Sequence, residues 1–91
     1  MRRVIWSDQA REDLISIGEY VENFSPAAAR QLAVALIDLS EGLCEFPDRG
    51  RPVRPGIREL TSLSSYVIRY AVLDAEVRIL TIRHGARKPL R

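Results

Sequence analysis

Cysteine, histidine, tryptophan and methionine each occur once in these 91 residues, and lysine occurs once, as Lys88. A lone Cys44 makes no internal disulfide, so no covalent staple is available. It is expected half-buried on a helix, where a reactive role is a poor expectation. No apolar run approaches the length of a membrane span, so no membrane partner is expected. Behind Met1-Arg2-Arg3 the apolar stretch is only Val4-Ile5-Trp6, too short for a leader peptide. The cytoplasm is therefore the expected location. There is no internal repeat or low-complexity segment, and neither a cofactor nor a metal is expected.

What is present describes one domain spanning residues 1–91. A chain this short buries only about 60–65% of the surface that its unfolded form exposes, so stability is modest and a covering partner matters. The net charge is only +2, but it is unevenly spread. Residues 1–46 carry four cations against eight anions, and residues 47–91 carry ten cations against four anions. The acidic half reads as a helical layer and the basic half as a sheet layer. That asymmetry either presents a basic face to an anionic partner or simply aids solubility.

Val4-Ile5-Trp6 reads as a short strand. Ser7 is a candidate N-cap, followed by Asp8 at the positive end of a helix. Ala10, Leu14, Ile17, Val21 and Phe24 form one apolar stripe. Ser25-Pro26 restarts a helix, and Ala29, Leu32, Leu36, Leu39, Leu43 and Phe46 form the second stripe, ended by Pro47. So short a connection forces the two helices into a hairpin. The stretch 47–56 holds three prolines, two glycines and the arginines Arg49, Arg51 and Arg54, and is expected to lack regular structure. Ile57–Leu60 reads as a strand. Tyr66–Leu73 and Glu76–Ile82 read as a strand pair with Asp74-Ala75 at the tip. In the last strand both alternating sets look apolar, which predicts a central position covered on both faces. The expected fold class is α+β, in the order β-α-α-β-β-β. A helical hairpin packs on one face of a small, mainly antiparallel sheet.

Several segments together resemble the RelE/ParE superfamily of toxins from type II toxin–antitoxin modules. They are Ala10-x-x-Asp13-Leu14-x-x-Ile17-x-x-Tyr20-Val21, Pro47-x-x-Gly50-Arg51, Gly56-Ile57-Arg58-Glu59-Leu60 and Tyr66-Val67-Ile68-Arg69-Tyr70. The last is Val77-Arg78-Ile79-Leu80-x-Ile82-x-His84-Gly85-Ala86-Arg87. The Gly-Arg linker and the His-Gly-Ala-Arg ending look more like the ParE side, whose members are often called plasmid stabilisation proteins. The resemblance implies a growth-arresting toxin neutralised by a cognate antitoxin, ParD-like or other, encoded alongside. It implies DNA gyrase or a related topoisomerase as the target. The same fold also serves RelE-like, ribosome-dependent mRNA endonucleases, and a non-toxic basic binding module is a third reading.

Thirteen of the fourteen cations are arginine, which stabilises charge but is a poor proton shuttle. RNA cleavage needs a base, an acid and cations around the phosphorane. His84 is the one candidate acid or base if the protein is a nuclease. Tyr66 and Tyr70 are candidates to stack a base or donate a proton, and Glu59 is a distant second choice for the base. The RelE side is lysine-rich around its site and places an aromatic residue or a His-Tyr pair near the C-terminus, whereas here Gly85 follows His84 and the only lysine is Lys88. The expected target-binding residues are Arg58, Arg69, Arg83 and Arg87, with Arg83 and Arg87 the better placed because they flank His84. Arg58 has an alternative as an ion-pair partner of Asp48 or Glu76, and alternation puts it on the opposite face from Glu59. Residues that bind the antitoxin are not assigned. A disordered, partly acidic tail laid along the helices or added at a sheet edge is the expected mode.

Overall fold

A computed structural model of the chain describes residues 2–85. Strand β1 (Arg3–Trp6) leads into helices α1 (Asp8–Glu22) and α2 (Pro26–Glu41). Two single 3-10 turns follow, Gly42–Cys44 and Pro47–Arg49. Strands β2 (Arg51–Arg54), β3 (Ile57–Thr61), β4 (Tyr66–Val72) and β5 (Glu76–His84) complete the order. The strands form one sheet in the order β1-β5-β4-β3-β2, in which only the β1–β5 pair is parallel. The expected architecture, a helical hairpin on one face of a mainly antiparallel sheet, is the one observed.

The helix starts lie where side-chain chemistry puts them. Ser7 Oγ accepts from Ala10 N at 3.0 Å, and Ser25 Oγ accepts from Ala28 N at 3.1 Å, with Pro26 opening α2. Both apolar stripes overshoot the core. Their last members, Phe24 and Phe46, are 75% and 62% exposed. The α-helical part of the second stripe stops at Glu41, because the chain passes through a 3-10 turn at Gly42–Cys44 that still buries Leu43. Leu36 and Leu43 meet Ile68, Tyr70, Val77 and Ile79 in the core, all fully buried. Each such side chain contributes about 2 kcal/mol through burial.

Two sequence expectations are corrected. First, the stretch 47–56 is not irregular, because β2 lies within it and pairs antiparallel with β3. Pro52 is tolerated because β2 is an edge strand, and Gly56 adopts φ +78° in the turn to β3. Second, β5 does not have two equivalent apolar faces. Arg69 pairs with Thr81 and Tyr70 with Ile79, so Leu80 is an extra residue in a β-bulge. The bulge shifts the alternation, and Val77, Ile79 and Ile82 all turn to the helices and are buried.

β1 covers only the first part of β5, from Glu76 to Ile79. Beyond it β5 stays paired with β4 on one edge, and side chains meet two backbone groups, Leu80 O and Ile82 N. Ser7 Oγ donates to Leu80 O at 2.9 Å, and Asp13 Oδ2 accepts from Ile82 N at 2.9 Å. Among the described residues no helix is long and apolar enough to cross a membrane.

Candidate functional site

Directly paired residues of neighbouring strands share a face of the sheet. The β3–β4–β5 register therefore sorts the charged residues into two groups. Glu59, Arg69 and Thr81 lie in one row of the face away from the helices, next to a row of Thr61, Val67 and Arg83. Arg51, opposite Glu59 on β2, joins this open face.

There Glu59 gathers three arginines. Its Oε2 accepts from Arg69 Nε at 2.9 Å, Arg69 Nη2 at 2.7 Å and Arg83 Nη2 at 3.3 Å. Its Oε1 accepts from Arg51 Nη2 at 3.1 Å. The Glu59 side chain is only 4% exposed, whereas those of Arg51, Arg69 and Arg83 are 73%, 35% and 40% exposed. One shielded carboxylate thus holds three guanidiniums that still reach solvent. Burial disfavours the Glu59 charge. The hydrogen bonds from Arg69, followed by the charges of Arg69, Arg83 and Arg51, outweigh it and hold the carboxyl below its ordinary pKa. Glu59 is therefore ionised and a weak base, and the cluster carries two positive charges in excess.

Arg58 stands elsewhere. It pairs with Tyr70 on the helix-side face. Its Nη1 donates to Gly50 O at 2.6 Å and Asp48 O at 3.3 Å, and its Nη2 lies 3.6 Å from Asp48 Oδ1. Tyr70, buried beside it, donates to Pro47 O at 2.7 Å and accepts from Gly50 N at 2.8 Å. Burial pushes the Tyr70 phenol above its ordinary pKa. Gly50 must be glycine, because a Cβ there would lie 2.6 Å from Glu59 O and 2.7 Å from the Tyr70 hydroxyl. Arg58 and Tyr70 thus bind the Pro47–Gly50 corner, which in turn presents Arg51 to Glu59.

His84 also faces the helices, paired with Tyr66 in register and packed edge-on against it with ring centres 5.0 Å apart. Asp13, Tyr20, Tyr66 and His84 line a cleft of about 270 Å³ between α1 and the end of β5. Arg83 borders that cleft too, but its guanidinium is drawn to Glu59 on the open face. The structure therefore brings Arg69 and Arg83 together, sets Arg58 and His84 apart from them, and adds Arg51. Arg87 lies outside the described residues. Sequence reasoning ranked Glu59 only as a distant base and left Arg51 unplaced. The signal for both lies in the strand register, with Arg51, Glu59 and Arg69 as successive cross-strand partners.

Comparison with known proteins follows the same lines. A model of the family described as ParE toxin of type II toxin–antitoxin system, parDE, matches residues 4–89. The chain is 44% identical over 87 residues to Toxin RelE2 of Caulobacter vibrioides, covering 96% of this chain and 99% of that protein. It is 35% identical over 85 residues to Toxin RelE1 of the same organism, covering 90% and 91%. Among solved structures, the chromosomal ParDE TA system from P. aeruginosa contains a chain 25% identical with a TM-score of 0.79, covering 92% of this chain and 96% of that one. A conserved hypothetical protein of Helicobacter pylori, HP0894, shares the fold at 15% identity and a TM-score of 0.58, covering 96% and 98%.

Proposed function

The chain belongs to the ParE toxin family of type II toxin–antitoxin systems, and we propose that it arrests growth by binding DNA gyrase or a related topoisomerase. Type II toxins pair with a cognate antitoxin, and we take the antitoxin to hold this one inactive in the cytoplasm. The target-contacting residues in this reading are Arg69 and Arg83, joined by Arg51, and Arg87 is retained from the sequence alone. Arg58 serves the site indirectly, through the corner that carries Arg51.

The observation that supports binding over RNA cleavage is the separation of His84 from the arginine cluster. A metal-free ribonuclease needs its proton acceptor beside the cations that hold the phosphorane. The Arg69 and Arg83 guanidiniums converge on one face while His84 and Tyr66 occupy the other. The carboxylate within the cluster, Glu59, is tied up by three arginines and is held below its ordinary pKa. A second reading, a RelE-like ribosome-dependent mRNA endonuclease, draws on the Tyr66–His84 pair at the cleft beside α1.

Two assays side by side test the proposal. Purified protein is expected to inhibit gyrase supercoiling and to leave mRNA intact on translating ribosomes. Unchanged supercoiling together with ribosomal cleavage would reverse the choice. Inactivity in both, with no growth arrest on expression, would leave only a non-toxic basic module.

A further inference from the structure

Taking the open face as the target-contacting surface, and so resting on that reading, we propose that Arg51, Arg69 and Arg83 form a receptor for two neighbouring carboxylates of a partner protein, with Glu59 as the positioning residue.

The charge balance suits such a ligand. Three guanidiniums share one shielded carboxylate, so two positive charges remain at one place on the sheet. The donors are also of the right kind. Arg69 turns Nε and Nη2 to Glu59, which leaves its Nη1 for another acceptor. Arg51 and Arg83 each use only Nη2 on Glu59. Their remaining N–H groups form planar forks whose spacing matches a carboxylate. Glu59 already holds the long side chains in place, so a ligand meets guanidiniums whose ordering is largely complete before it binds.

The arrangement fits a nucleic-acid backbone less well. Strands of nucleic acid are gripped by a track of cations along successive phosphates, with aromatic side chains under the bases. Here the three arginines converge on a single carboxylate. Farther along β5, Arg78 is held by Glu76 at 2.6 Å. The aromatic side chains of β4, Tyr66 and Tyr70, point to the helices. A compact pair of acidic side chains matches this geometry, and an extended polyanion does not.

Fluorescence anisotropy with the full chain tests the assignment. The probes are a labelled peptide carrying adjacent Asp-Glu pairs and a labelled oligodeoxythymidine of equal charge, at physiological salt. The peptide is expected to bind more tightly than the oligonucleotide. Arg83→Ala should weaken peptide binding about tenfold, the loss of one charge-assisted fork, while Arg78→Ala leaves it unchanged. Glu59→Gln should erase the preference for peptide over oligonucleotide, and Glu59→Asp should restore part of it, with thermal unfolding of the same samples as the check on folding. Equal or tighter oligonucleotide binding, or equal losses in the Arg78 and Arg83 variants, would overturn the assignment. No peptide binding with intact inhibition of supercoiling would remove this inference and leave the proposed activity standing. Arg83-dependent peptide binding without inhibition would support the receptor and remove the proposed activity.

Discussion

Arg83 and His84 are adjacent in the chain, yet Arg83 reaches Glu59 on the open face while His84 stacks edge-on against Tyr66 on the helix side. Strand alternation makes neighbours in sequence strangers in space. Arg83 and His84, grouped by proximity in sequence, therefore act on opposite faces of the sheet.

The first prediction follows from that division. Arg83→Ala is expected to abolish growth arrest, while His84→Gln leaves it intact. Arg83 is 40% exposed and its bond to Glu59 is 3.3 Å long, so its removal should cost less than about 1 kcal/mol. Plating after induced expression, with thermal unfolding of both purified variants, reads both effects. A toxic Arg83→Ala or a harmless His84→Gln would contradict the assignment.

Glu59 is the shielded member of the cluster, and its loss leaves three guanidiniums facing one another. Glu59→Ala is expected to destabilise by about 2 kcal/mol, less than for a fully buried pair because the arginines reach water. The folded-state pKa lies below the ordinary value of 4.5. Its contribution to stability is therefore complete above that value and is lost as pH falls through it toward the folded-state pKa. Denaturant titrations across this acid range should show a steeper decline for the natural chain than for Glu59→Gln. Parallel curves would show that the arginines do not favour the ionised form.

Tyr70 holds the corner that carries Arg51. In Tyr70→Phe the Gly50 N–H and the Pro47 carbonyl both lose a partner, at a cost of about 2 kcal/mol. Gly50→Ala should cost at least as much, because its new Cβ has no room beside Glu59 O. The raised Tyr70 pKa has the opposite pH sense to that of Glu59. Its contribution is complete below the ordinary value of 10.0 and is lost as pH rises past it through the folded-state value. Stability should therefore decline more steeply across the alkaline range for the natural chain than for Tyr70→Phe, which has no phenol to ionise. A Tyr70→Phe protein as stable as the natural chain would refute the corner's role.

Ser40 is fully buried in α2, and among the described residues its hydroxyl has no hydrogen-bond partner. Removing a buried, unpaired hydroxyl relieves a desolvation penalty, so Ser40→Ala should stabilise by about 1 kcal/mol. Chemical denaturation measures it, and a destabilised variant would point to a partner for that hydroxyl.

Features read from local chemistry were legible in the chain. The caps at Ser7 and Ser25, the two stripes, the β4–β5 pairing and the opposition of Arg58 to Glu59 all depend on residues close in sequence. The Arg58–Asp48 ion pair, one of two alternatives weighed, is present as well. Less legible was anything set by registration between distant strands. Pro52 argued against a strand, because the rule against proline assumes both edges are paired and β2 has a free edge. The bulge at Leu80 was hidden, since one extra residue in β5 makes an ordinary alternation look two-faced.

Local periodicity and capping thus determined both helices and four of the five strands, their order and the acidic and basic layers they form. Which charges meet was decided in three dimensions. Arg51, Glu59, Arg69 and Arg83 come from four different strands, and only the pairing register brings their side chains within hydrogen-bonding range. Register is a property of the whole sheet: it follows from where the helices bury Ile68, Ile79 and Ile82, and a slip of one residue would turn the arginines to the other face.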